Sequence, residues 1–599
     1  MTQTSKAGSE TGKAEPDAAE RVAALQRIGE KSRRVVELWL GQGRAGGGLP
    51  VSSELANDFL ALGQRLLANP MAMVETQAQF WQDYLTLWQR TAQKLLGQAT
   101  EPVIEPAKDD RRFKHEQWSE NAAFDFIKQS YLLSARCLHG TVKGADGLDP
   151  TTQRKLEFHT RQLVDALSPS NFAHTNPEVV QATLASGGGN LVRGLENLLD
   201  DLERGQGELK VSMTDRSAFE LGRNVAASPG KVVFQNELIQ LIQYAPSTKQ
   251  VARRPLLIIP PWINKFYILD LQPKNSFIKY CVDQGQTVFV ISWVNPDERH
   301  RELGWDAYMT LGPLAALAAI EQATGEPEAN VIGYCIGGTL LATTLGHMAA
   351  TGDSRVASAT FFTSIMDFED AGELTLFMDE EQLQQIERQM DEKGYLDAGS
   401  MAATFNLMRA NDLIWSFVVG NYLLGKEALP FDLLYWNSDS TRMPAATHRY
   451  YLRNMYQKNL LKEPGGLTLL GTPIDLRQVT TPVFLISARE DHIAPWRNTY
   501  AAAGLYAGPV RFVLAGSGHI AGVINPAGST KYGYCTNEAL PADPDAWLEG
   551  AQAHPGSWWP VWAEWVKDYA GGKVKARVPG AGGLPALEEA PGSYVKIEA

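Results

Sequence analysis

Apolar residues recur at two different periods along the chain, and the change from one to the other divides it. Between residues 21 and 100 they fall at helical spacing. Leu25, Ile28, Val35, Val36, Trp39 and Leu40 form one set, Leu55, Phe59, Leu62 and Leu66 a second, and Phe80, Tyr84, Leu87, Trp88 and Leu95 a third. Steps of three, four and seven place such residues on one face of an amphipathic helix. The run Gly46-Gly47-Gly48-Leu49-Pro50 separates the first helix from the second. Residues 1–20 are polar and almost without large side chains, so they are expected to be disordered. Residues 101–112 read as a linker, and more helices are expected over 113–205, with Ser168-Pro169 and Thr175-Asn176-Pro177 as start signals.

Beyond about residue 210 short β-branched runs alternate with helical ones. The strands expected are 231–234, 239–244, 256–260, 287–293, 330–334, 357–363, 482–487 and 510–514. Several are apolar throughout, as in strands buried on both faces of a mostly parallel sheet. Helices such as 309–324 and 339–351 lie between them, which is the α/β alternation. From 370 to 470 the alternation stops. No strand is convincing there and aromatics are dense, among them Phe405, Trp415, Tyr422, Trp436, Tyr451 and Tyr456. This interval reads as a helical insertion whose natural role is a cap. The expected organisation is therefore a tail over 1–20, a helical N-terminal region over 21–210, a catalytic domain from 211–369 and 471–570, the cap over 370–470, and a C-terminal tail over 571–599.

Composition narrows the function. The 599 residues carry 68 acidic and 55 basic side chains, a formal net charge of −13, which disfavours broad nucleic-acid binding. No apolar run is long enough to cross a membrane, and the N-terminus lacks an apolar signal core. Four cysteines, at 137, 281, 335 and 535, form no C-x-x-C pair. Neither a metal site nor a disulfide framework is expected, and the chain reads as cytoplasmic.

One cysteine stands apart. Gly333-Tyr334-Cys335-Ile336-Gly337 follows an apolar strand and precedes a helix. That is the nucleophile-elbow pattern with cysteine in the serine place. The turn is too tight for side chains at Gly333 and Gly337, and the helix N-terminus behind Cys335 favours a thiolate. The elbow predicts an acid and then a histidine further along. Asp491 lies just past the strand 482–487, and His519 lies in a Gly-rich loop past 510–514. Asp491 is preferred to Glu490 by its place in the motif. His492 adjoins the acid and is read as structural or substrate-shaping. An oxyanion hole needs the Ile336 N–H and a second donor from the loop after 256–260. Ile263 is the first choice there, with Trp262 and Asn264 close behind. Both of these neighbours are also candidates for shaping the substrate pocket.

The segments GYCIGGT (333–339), PPWINKFYILDL (260–271), ISWVNPD (291–297), PFDLLYWNSDSTRMP (430–444), REDHIAPW (489–496) and SGHIAGVINP (517–526) resemble those of the polyhydroxyalkanoate synthases. So do GRNVAASPGKVVFQNELIQLIQYAP (222–246), NDLIWSFVVGNYLLG (411–425) and GSWWPVW (556–562). The likeness runs from about 110 to 570 and favours the class I enzymes, which act as a single kind of subunit. It implies an α/β-hydrolase-like, mostly parallel sheet with a helical cap insertion, preceded by a helical N-terminal domain. By the same resemblance Cys335 carries the acyl chain, His519 is the general base and Asp491 the third catalytic residue. The substrate implied is a (R)-3-hydroxyacyl-CoA, short-chain as in 3-hydroxybutyryl-CoA, with CoA as leaving group and no cofactor. A homodimer and attachment to polyester granules are also implied. The amphipathic N-terminal helices and the cluster Trp558, Trp559, Trp562 and Trp565 are candidates to face the polymer, although core packing is the simpler role for the tryptophans. Two roles are compatible with Asp491 in the sequence: orienting His519, or itself activating the incoming hydroxyl. Two rivals share the same residues: a depolymerase or thioesterase, and a non-catalytic granule protein.

Overall fold

All eight apolar runs form strands. In a computed structural model of the protein they belong to one large sheet whose strands, in chain order, are β1 (Gly230–Gln235), β2 (Ile239–Tyr244), β3 (Leu256–Ile259), β4 (Val288–Trp293), β5 (Ala329–Tyr334), β6 (Val356–Phe362), β7 (Val483–Ala488), β8 (Val510–Ala515), β9 (Tyr534–Thr536), β10 (Gln552–His554) and β11 (Glu588–Glu589). The structure describes residues 18–41, 53–68, 70–145 and 147–599. The expected disorder of 1–20 lies outside the described residues up to 17, and 18–20 open a helix. The Gly-rich break at 46–50 lies outside them entirely.

Across the sheet the order is β10-β9-β8-β7-β6-β5-β3-β4-β2-β1-β11. The six strands from β8 to β4 are mutually parallel, and the strands flanking them on both sides pair antiparallel. Strands β3, β4, β5 and β7 are buried along their whole length. Helices therefore cover both faces, and the solid apolar runs are the sequence mark of that burial. Trp558, Trp559, Trp562 and Trp565 are all buried in the core beneath the sheet, with Phe277 and Phe362 against them. They face no apolar phase.

Residues 571–599 are integrated in the sheet and its surroundings. Lys573–Lys575 pairs with Gln250–Ala252, and Glu588–Glu589 adds the edge strand β11 to β1. Val595 is buried, and the Tyr594 hydroxyl donates to the Asn236 carbonyl at 2.6 Å. The apolar residues at the end of the chain explain this docking, which a reading of Gly and Pro content as a tail passes over.

The chain divides into two compact units, and the division does not follow its order. Residues 214–408 and 430–599 form one, containing the sheet. Residues 409–429, inside the interval expected as one cap, cluster with the N-terminal helices as the other. There Gly194 on the helix Gly189–Arg204 brings the Tyr422 carbonyl so near that a Cβ would lie 1.8 Å from it. The Tyr422 hydroxyl donates to buried Asp201 at 2.6 Å. The helix Ala18–Gly41 is tied to the same helix by Arg27–Glu196 and Arg34–Glu203. On Pro70–Leu95, Leu87 is buried, while Val74, Trp81, Leu85, Trp88 and Leu95 are exposed. Their steps of seven, four, three and seven make one stripe along the helix. No helix among the described residues is long and apolar enough to cross a membrane.

Candidate active site

Cys335 stands between β5 and the helix Ile336–Thr351 with φ 53° and ψ −125°. This is a strained conformation for a non-glycine residue. Its N–H donates to the Phe362 carbonyl of β6 at 2.9 Å, which fixes the turn. The glycines flanking it are needed for close approach. A Cβ on Gly333 would lie 2.5 Å from the Gly338 Cα, and one on Gly337 would lie 2.4 Å from the Ile259 carbonyl and 2.7 Å from that of Pro260. Ile336 opens the helix, so its N–H has no intrahelical acceptor. Among the other cysteines, Cys281 is fully buried and its thiol is pushed well above the usual range by burial.

The two expected partners arrive from the ends of the next parallel strands. Asp491 follows β7 and His519 follows β8, and His519 Nδ1 lies 2.6 Å from Asp491 Oδ2. The second carboxylate oxygen, Oδ1, accepts from the Ile493 and Ala494 amides, each at 2.9 Å. The Asp491 side chain has no solvent exposure. The Tyr334 hydroxyl donates to the His519 carbonyl at 3.3 Å. Cys335 is near enough to the imidazole to act on its charge. Burial opposes charge on His519, but Asp491 and Cys335 outweigh it and hold the ring toward its protonated form, up to about 10. Glu490 is exposed. His492 is half-buried, with its backbone carbonyl against Gly372, and it is not the imidazole that Asp491 holds.

The loop after β3 is held on two sides. Trp262 is buried among Trp293, Trp305 and Tyr308, with ring centroids 5.2, 5.8 and 4.6 Å away, so its indole packs into an aromatic layer. Trp293 Nε1 donates to the Pro260 carbonyl at 2.9 Å. From the other side comes the segment 436–441. Trp436 Nε1 donates to the Lys265 carbonyl at 2.7 Å, and buried Lys265 pairs with buried Asp439 at 2.7 Å. Asn264 is bridged to Ser440, and its side chain accepts from the Lys265 N–H.

Sequence reasoning did not single out Tyr451, Tyr456 or Thr441 as site residues. The two tyrosines lie on Tyr451–Gln457, stack edge-on at 5.2 Å, and are near enough to Cys335 to interact with it electrostatically. Burial pushes both phenols well above their usual range, so they stay neutral donors. Phe368 packs on both. The density of aromatics over 370–470 was the available signal, but it does not say which of them reach the nucleophile. Among the described residues no cluster of His, Cys, Asp and Glu is arranged to hold a metal.

Residues 109–281 match the family described as the N-terminus of poly-beta-hydroxybutyrate polymerase (PhaC), and residues 254–526 match the α/β hydrolase fold. A poly(3-hydroxyalkanoate) polymerase of Methylorubrum extorquens is 50% identical over 547 residues, covering 91% of this chain and 90% of that protein. The poly(3-hydroxyalkanoate) polymerase subunit PhaC of Rhizobium meliloti is 47% identical, over 96% of this chain and 94% of its own. That of Cupriavidus necator is 42% identical, over 93% and 94%. With the parallel sheet and its Cys335 elbow, these likenesses settle the family: the chain belongs to the poly(3-hydroxyalkanoate) polymerases and is an acyltransferase on an α/β-hydrolase fold.

Proposed function

We propose that the protein polymerises (R)-3-hydroxyacyl-CoA, short-chain monomers such as 3-hydroxybutyryl-CoA first, through a thioester on Cys335. The observation that carries this reading is the meeting of Cys335, His519 and Asp491 in a chain alignable over 91% of its length with a named polymerase. His519 takes the thiol proton, and the sulfur adds to the thioester carbonyl. The oxyanion is held by the Ile336 N–H and a donor of the loop after β3, with Ile263 first and Asn264 next. The tetrahedral intermediate expels CoA sulfur, which takes the proton from His519. A hydroxyl from a monomer or the chain end then adds to the acyl-enzyme, gives its proton to His519, and Cys335 leaves. One thioester is exchanged for another in the first half, so the acyl group stays activated. A serine ester would forfeit that driving force.

Asp491 acts as the orienter of His519 in this scheme. Both its oxygens are engaged, one by the ring and one by two amides, and its side chain is shut away from solvent. Three of its roughly four lone-pair positions are taken, and its burial keeps an incoming hydroxyl from the carboxylate. Tyr451, Tyr456 and Phe368 line the nucleophile's surroundings and exclude water, the competing acceptor. The residues 370–408 and 430–470 serve as the cap. The enzyme works as a cytoplasmic, granule-bound homodimer in this reading, and the exposed stripe of Val74, Trp81, Leu85, Trp88 and Leu95 supports the contact with an apolar polymer surface. Trp262 and Asn264 act through the loop that they hold in place, and His492 through the shape of the acid's loop.

Purified protein given (R)-3-hydroxybutyryl-CoA tests the reading, scoring CoA and insoluble polymer together, beside Cys335→Ala. CoA release with polymer, lost in Cys335→Ala, is the expected result. Free 3-hydroxybutyrate without polymer would assign a thioesterase or depolymerase instead.

A further inference from the structure

We infer that Thr441 is the positioning residue of the oxyanion hole, holding the peptide that carries the second donor. This rests on the proposed chemistry at Cys335. The Thr441 hydroxyl donates to the Trp262 carbonyl. The same peptide unit ends in the Ile263 N–H, and it is trans, the only cis bond among the described residues being Ala590–Pro591. In a planar trans peptide the C=O and N–H point opposite ways. Binding the Trp262 oxygen from the side of Thr441 therefore turns the Ile263 N–H to the opposite side. The Thr441 backbone N–H also donates to the Ile263 carbonyl at 3.2 Å, which sets the next peptide and its Asn264 N–H the same way. One residue thus orients both candidate donors.

Thr441 is itself immobilised. It is 4% exposed, and the segment that bears it is anchored to the far end of the same loop. Asp439 takes Lys265 Nζ at 2.7 Å and the Tyr267 hydroxyl at 2.8 Å, and Trp436 Nε1 holds the Lys265 carbonyl. A buried ion pair of this kind adds little net stability, and with the two hydrogen bonds beside it the pair ties the segment to the loop at three points. On the opposite side, Gly337 of the elbow admits the Ile259 and Pro260 carbonyls. The loop is fixed between the nucleophile's own turn and the segment 436–441, and the hydroxyl of Thr441 is the contact made directly to the donor's peptide.

The test separates oxyanion stabilisation from nucleophile reactivity. Acyl transfer from (R)-3-hydroxybutyryl-CoA develops an oxyanion. Alkylation of Cys335 by iodoacetamide displaces iodide at a saturated carbon and develops none. Thr441→Val removes the hydroxyl at nearly constant shape, and Thr441→Ser restores it. In Thr441→Val the rate of CoA release should fall about 10-fold to 100-fold, short of the full loss of a donor. KM should stay within about threefold, the alkylation rate should match wild type, and Thr441→Ser should recover most of the acyl-transfer rate. Wild-type acyl transfer in Thr441→Val would overturn the inference. So would parallel losses of acyl transfer and alkylation, which would mean general disorder of the site, and so would failure of Thr441→Ser to recover. Undiminished CoA release by Cys335→Ala would overturn the proposed chemistry, and the oxyanion assignment with it.

Discussion

His519 Nδ1 and Asp491 Oδ2 approach to 2.6 Å, while Asp491 Oδ1 is bound by two backbone amides. The carboxylate is thus fixed by its own loop before it touches the ring, and the contact fixes the tautomer in turn. With Nδ1–H given to Asp491, Nε2 is the nitrogen left to take a proton from sulfur. Asp491→Asn presents an amide whose NH₂ can face Nδ1, which favours the opposite tautomer. Acyl transfer should fall about 100-fold to 10,000-fold with little change in thermal stability. Single-turnover CoA release beside a melting curve checks this. A loss of less than about fivefold would mean that Asp491 does not set the tautomer of His519.

Gly337 makes a second prediction, on the route from the elbow to the loop. A methyl there would press on two backbone carbonyls, those of Ile259 and Pro260, at 2.4 and 2.7 Å. Backbone cannot rotate aside as a long side chain does. Gly337→Ala should cost about 2 to 3 kcal/mol of stability, and displacement of the loop should lower acyl transfer by about 100-fold. Urea unfolding and initial rates measured on one preparation would show both. Wild-type stability would mean that the elbow and the loop are less closely packed than this geometry states.

The features legible in the sequence were those with a local signature. Strands buried on both faces read as solid apolar runs, and all eight formed. The order Cys335, Asp491, His519 needed only the elbow and the ends of two strands. Thr441 had no such mark: it lies 178 residues beyond Ile263 and meets that loop only through tertiary packing. The short strands Tyr534–Thr536, Gln552–His554 and Glu588–Glu589 are two or three residues long, too short for any period to register. Residues 409–429 are apolar on several sides, and composition does not say which neighbour they will join. That Tyr422 meets Asp201 and Gly194 is visible only once both helices are in place.

Water exclusion gives a third prediction. Tyr456 is buried, packs edge-on against Tyr451 and Phe368, and lies near Cys335. Tyr456→Ala opens that wall without touching the triad. The ratio of free 3-hydroxybutyrate to polymer should rise about tenfold, the effect of about 1.4 kcal/mol on the partition of one acyl-enzyme. Product analysis by chromatography at equal CoA release checks it. An unchanged ratio would move the water barrier elsewhere in the cap.

The last prediction concerns acid. His448 is buried on the helix Ala445–Tyr450, which runs directly into the segment carrying Tyr451 and Tyr456. Its Nδ1 has no hydrogen-bond partner among the described residues. Burial pulls its pKa down from 6.5 to about 4. The folded protein therefore binds this proton less readily than the unfolded chain. Above the unfolded value neither state is charged and the stability is intact. As pH falls from about 6.5 to about 4, the unfolded chain takes the proton first and stability declines, by about 3 kcal/mol in all. His448→Gln should remove that part of the slope, so the gap between variant and wild type in urea midpoint should narrow, or reverse, from pH 7 to pH 4.5. Polymerisation should hold its rate over the same range while the enzyme stays folded, because the folded-state imidazole remains neutral down to about 4. Parallel stability curves for the two proteins would mean that His448 does not titrate on unfolding, and that acid acts on the fold through other groups.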